Sequence, residues 1–170
     1  MYTHPGKKLL FMGCEFGQDW EWNSEEGLRW FLLDYPMYKG MQNCVRDLNL
    51  MYKGNPPLYQ QDFDYRGFEW IDHSNSDDSV ISYMRKGYTP GDYLIVVSNF
   101  TPVVRKDYRI GVPENCKYQE IFNSDDVNYW GSGVKNEGFM QATEGEWNNK
   151  PCSIQVTLPP LATIVIKPIR

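Results

Sequence analysis

The residue best placed to do chemistry is Glu15, which closes the apolar run Leu9-Leu10-Phe11-Met12-Gly13-Cys14 and is followed by Trp20 and Trp22. An acidic side chain at the end of a buried strand, next to exposed indoles, suits polar recognition beside ring stacking on a sugar face. The same pattern suits a Glu hydrogen-bonded into a strand rim and tryptophans packed between domains, so both readings stand here. Trp70 raises the same question in Phe68-Glu69-Trp70-Ile71, where alternation sets Phe68 and Trp70 on one face and Glu69 and Ile71 on the other. An exposed Trp70 is a stacking platform; a buried one is core. Trp130, set among Tyr129, Gly131 and Gly133, reads as an exposed tip. Asp62, Asp64, Asp125 and Asp126 lie in polar stretches and read as solvated surface.

Other chemistries find no support. His4 and His73 are the only histidines, and Cys14, Cys44, Cys116 and Cys152 have no metal-ligand spacing, so neither a metal nor another cofactor is expected. The cysteines read as free thiols. There is no Gly-x-Ser-x-Gly elbow and no phosphate-binding glycine loop. Asn99-Phe100-Thr101 has the form of a glycosylation acceptor, without a secretory signal to give it meaning. A formal net charge of -5 disfavours nucleic acid and anionic membranes as partners. The first residues carry neither a basic start nor a long apolar stretch, which predicts a cytoplasmic location.

The elements that must position these residues change period once along the chain. Residues 7–13 read as a buried parallel strand, and residues 14–37 as a loop holding the apolar patch Leu28–Leu33, which if exposed offers a surface for dimerisation. From Tyr38, the spacing of Met41, Cys44, Val45, Leu48, Met51 and Tyr52 predicts a helix, stopped at Gly54-Asn55-Pro56-Pro57. Beyond it the alternation predicts seven strands, over 68–71, 80–85, 93–100, 107–112, 118–122, 154–158 and 162–167. The almost wholly apolar Tyr93–Val97 is expected at the centre. Residues 123–151 are expected to form one long polar excursion. The fold class is therefore mainly β: an antiparallel sandwich over 58–170, preceded by a strand and helix over 1–57. A lone parallel strand leaves its ladder groups unpaired, so the chain is expected to be part of a longer polypeptide.

Several long motifs resemble one family. Pro5-Gly6-Lys7-Lys8-Leu9-Leu10-Phe11-Met12-Gly13-x-Glu15-Phe16 is similar to the last barrel strand of bacterial 1,4-α-glucan branching enzymes of the α-amylase superfamily. Glu21-Trp22-Asn23, Val45-Arg46-Asp47-Leu48-Asn49, Gly67-Phe68-Glu69-Trp70, Ser98-Asn99-Phe100-Thr101-Pro102 and Leu158-Pro159-Pro160-Leu161-Ala162-Thr163 extend the resemblance over roughly residues 4–167. The resemblance implies the C-terminal portion of such an enzyme: the last strand and helix of a (β/α)8 barrel, then the β-sandwich. Enzymes of this family cleave an α-1,4 linkage and transfer the fragment to a 6-hydroxyl, by a retaining mechanism in which one carboxylate attacks and another protonates the leaving oxygen. The motifs carrying those carboxylates are not found here, so no catalytic residue is assigned and the chain alone is expected to be inactive. Implied partners are α-glucan and the N-terminal catalytic barrel. Glu15, Trp20, Trp22 and Trp70 are the implied substrate-contacting residues, with Trp70 the preferred surface platform. Cys14 departs from the family pattern, which has Asn there, and removes that amide's hydrogen bonds from the rim. A stand-alone glucan-binding module and a purely structural sandwich are the alternative readings.

Overall fold

The computed structural model describes all residues, Met1–Arg170. One helix, α1 (Pro36–Gly54), precedes nine strands: β1 (Phe68–Asp72), β2 (Val80–Lys86), β3 (Tyr93–Asn99), β4 (Arg105–Val112), β5 (Lys117–Asn123), β6 (Met140–Gln141), β7 (Thr143–Trp147), β8 (Lys150–Leu158) and β9 (Thr163–Ile169). They form two sheets, ordered β1-β2-β3-β9-β5-β6 and β4-β8-β7, and every recorded pairing is antiparallel.

Alternation explains why the sheets face each other. Ile154, Val156 and Leu158 of β8 turn inward with Ile110 and Val112 of β4, meeting Ile95, Val97, Ile164 and Ile166 from the larger sheet. The larger sheet is apolar on its other face too. Leu94, Val96 and Val165, the intervening residues of β3 and β9, join Met51 of α1 and the wholly buried Leu58 in a second core. Each such buried aliphatic side chain contributes about 2 kcal/mol. The fold is thus three layers: helix, six-stranded sheet, three-stranded sheet. The central β3 is buried along its entire length because it has cover on both faces, which is why its sequence does not alternate.

The helix begins two residues before the expected Tyr38, with Pro36 in its first turn, where a missing N–H costs nothing. Its packing against the tip around Tyr129 depends on Gly40, since a Cβ there would meet the backbone of Tyr129.

Two expectations are corrected. Residues 7–11 form no strand: Leu9 is 75% exposed, and the stretch leads into a turn over 12–17. No parallel neighbour lies beside this run, and apolar residues alone do not make a ladder. Residues 123–151 are not a single excursion. They contain β6, β7 and the first residues of β8, which begins at Lys150. All of β7 is exposed, so it gives no alternation to detect.

Candidate functional site

Trp70 stands on the outer face of the edge strand β1. Its neighbours fix that orientation: Ile71 points into the intersheet core, while Glu69 pairs with both Lys86 and Lys150. Burial works to raise the Glu69 carboxyl, but the two ammonium groups outweigh it and hold the group below its ordinary range. Trp70 is therefore not sandwich core. It is 42% exposed, and three edge-on ring contacts hold it: Phe68 at 5.0 Å, His73 at 5.6 Å and Tyr83 at 5.7 Å. The His4 ring extends the cluster over Phe68 at 5.5 Å. An indole fixed in orientation with part of its surface open can stack on a sugar ring without losing rotamer freedom.

The other sequence-predicted residues gather elsewhere. Glu15 is half-buried in the turn over 12–17. Trp20 is exposed with the Arg29 guanidinium 4.6 Å from its ring centre, and Trp22 meets Phe11 edge-on at 5.2 Å. These three belong to the N-terminal segment, whereas Trp70 belongs to the sandwich. Trp130 is exposed, in a left-handed conformation at φ 69°. In the apolar patch Leu28–Leu33, Trp30 and Phe31 are exposed while Leu32 is buried. No group of three or more His, Cys, Asp or Glu side chains is placed to hold a metal ion, and no helix is long and apolar enough to cross a membrane.

Two of the aspartates expected at the surface are buried instead. Asp62 accepts from Arg85, whose side chain is wholly buried. Asp125 organises the turn after β5, its carboxylate accepting from Ser132 N at 2.9 Å, Ser132 Oγ at 2.6 Å and Val134 N at 3.1 Å. In both, a carboxylate is stable inside because each oxygen is hydrogen-bonded. Asp64 and Asp126 keep to helix-turn caps, accepting from Arg66 N and Asn128 N. The Asn99 amide is also buried, donating to Val103 O and Pro159 O, so it is a loop knot and closed to a glycan.

Sequence reasoning missed Arg85 and Trp147. A charged residue directly after the largely apolar Val80–Met84 stretch was a signal for the first. For Trp147 the only signal was the following Asn148-Asn149, a dipeptide suited to a tight hairpin.

Residues 70–169 match the family described as alpha amylase, C-terminal all-beta domain. The whole chain is 54% identical to 1,4-alpha-glucan branching enzyme GlgB of Halothermothrix orenii, over 100% of this chain and 27% of that protein. It is 48% identical to the Aquifex aeolicus protein of the same name, over 98% of this chain and 26% of that one. The chain thus spans about a quarter of the length of these relatives. A crystal structure of the trehalulose synthase MutB superposes with a TM-score of 0.51 at 18% identity, over 82% of this chain and 20% of that one. That likeness is one of fold.

Proposed function

The chain belongs to the alpha-amylase C-terminal all-β domain family, and from that premise we propose that it acts as the C-terminal part of a 1,4-α-glucan branching enzyme. Residues 1–57 would complete a catalytic barrel, and residues 58–170 would form the sandwich that buttresses it. The observation that carries this reading is the 54% identity to a branching enzyme along the entire chain, N-terminal segment included. The distribution of exposed apolar side chains agrees with it. They are denser over residues 1–57, where Leu9, Phe11, Trp30, Phe31, Met37 and Leu50 are exposed, than over the sandwich, which exposes Phe63, Phe100 and Leu161 among others, as expected if a larger body covers the N-terminal segment.

In this reading the catalytic carboxylates come from the barrel, and this chain supplies support and glucan contact. Trp70 is the platform for an α-glucan on the sandwich; Glu15, Trp20 and Trp22 act at the barrel rim. Affinity electrophoresis in glycogen-containing gels tests the glucan contact. The chain should migrate more slowly than in gels without glycogen, and Trp70→Ala should weaken that retardation. Equal migration of wild type in both gels would overturn the contact, and unchanged retardation of Trp70→Ala would overturn the platform. A stand-alone glucan-binding module remains the second reading, favoured by the outward, rigidly held indole of Trp70.

A further inference from the structure

We propose a second saccharide site, on the opposite sheet, in the groove beneath Trp147. The groove holds about 420 Å³ between β4, the β7–β8 turn and the residues after β1. Its platform is built from the turn upward. Trp147 pairs with Lys150 across Asn148 and Asn149, whose φ values of 49° and 57° are those a two-residue type I′ turn demands. Gly111 on β4 lets the turn approach, because a Cβ there would collide with the Trp147 carbonyl. The indole is then fixed twice. Its Nε1–H donates to Arg109 O at 3.0 Å, and the Arg109 guanidinium lies 4.5 Å from the ring centre while its Nε donates to Ser153 Oγ. The ring nevertheless remains 42% exposed at the groove.

The rest of the lining matches a neutral polyol. Three basic residues, Arg105, Lys106 and Arg109, face three acidic ones, Asp72, Asp78 and Asp107, so the groove offers donors and acceptors with no net charge to favour an ion. A pyranose presents an apolar C–H face and a rim of hydroxyls that both donate and accept. Trp147, Val103 and Val104 serve the first; the charged side chains serve the second. A bulge between Arg105 and Tyr108 places Asp107 at φ 53°, the kind of irregularity that re-aims side chains beside a site. Arg105 Nε is buried with no hydrogen-bond partner, although both terminal nitrogens serve Asp78.

That the saccharide is an α-1,4-glucan rests on the function proposed above; that the groove takes a saccharide does not. The test is titration of this chain with maltoheptaose, following the Trp147 indole N–H resonance, assigned through Trp147→Phe. The expected result is a saturable shift in wild type and equally in Trp70→Ala. Affinity at this resonance should fall about tenfold in Asp107→Gly, where glycine suits the positive φ and folding is spared. If the Trp70 resonance moves and Trp147 does not, the groove is overturned while the glucan platform stands. If Trp147 answers cellohexaose but not maltoheptaose, the saccharide site holds and its α-glucan identity is overturned. If no sugar moves Trp147, the proposal fails outright.

Discussion

The guanidinium of Arg85 donates to the carboxylate of Asp62 at 2.6 Å, with the arginine wholly buried. The remaining donors reach Thr3 O at 2.9 Å, Leu58 O at 3.2 Å and Gly67 O at 3.3 Å. One side chain on β2 thereby fastens the N-terminal residues and the segment after α1 to the larger sheet. Removing one partner leaves a buried charge without its counterion, so Asp62→Ala should lower stability by about 3–5 kcal/mol. Replacing both, in Asp62→Ala with Arg85→Met, should recover part of that loss. Urea midpoints of the three proteins check the ordering.

Glu69 predicts a pH dependence. Its folded pKa lies below the ordinary value, so the folded state holds this proton less tightly than the unfolded chain does. The stability it contributes is complete above the unfolded glutamate value and is lost as pH falls through the depressed folded one. Glu69→Gln should therefore melt below wild type at neutral pH, and the gap should close in acid. A constant gap at every pH would place the effect in packing instead of charge.

The thiols should react in an order set by exposure and ionisation. Cys14 is exposed, Cys152 is buried, and Cys44 is pushed up to about 11 by burial and by the nearby Asp47 charge. Timed alkylation with iodoacetamide in mild alkali, read by peptide mass spectrometry, should label Cys14 well before Cys44 or Cys152.

Gly40 sets two effects against each other. Alanine in mid-helix gains about 1 kcal/mol over glycine, but its Cβ would press on the backbone of Tyr129. Overpacking against backbone costs about 1–3 kcal/mol. Gly40→Ala should therefore destabilise the chain despite the better helix former, by a calorimetric shift to lower Tm. Gly54→Ala, where nothing lies within reach of the Cβ, is the control.

Local periodicity made α1 and seven strands legible, because each buries a face that the sequence itself marks. Features that depend on distant partners were not legible. Asp62 looked solvated in its polar stretch, and the arginine that pairs with it lies 23 residues on. Trp147 becomes a platform only through Arg109, 38 residues before it. β7 escaped because an exposed strand marks no face, and residues 7–13 misled because an apolar run needs a neighbour to become a strand. Of the candidate residues, Trp70 was legible to the extent of its face, though not of the rings that hold it.

The proposed role of this chain is to complete a glucan-branching enzyme. Its most direct test is to put the chain in place of the matching C-terminal quarter of the Halothermothrix orenii enzyme and measure new α-1,6 linkages by enzymatic debranching. That role predicts branching by the folded chimera and none by the chain alone. A folded chimera that binds glucan but forms no branches, or branching by the chain on its own, would contradict it.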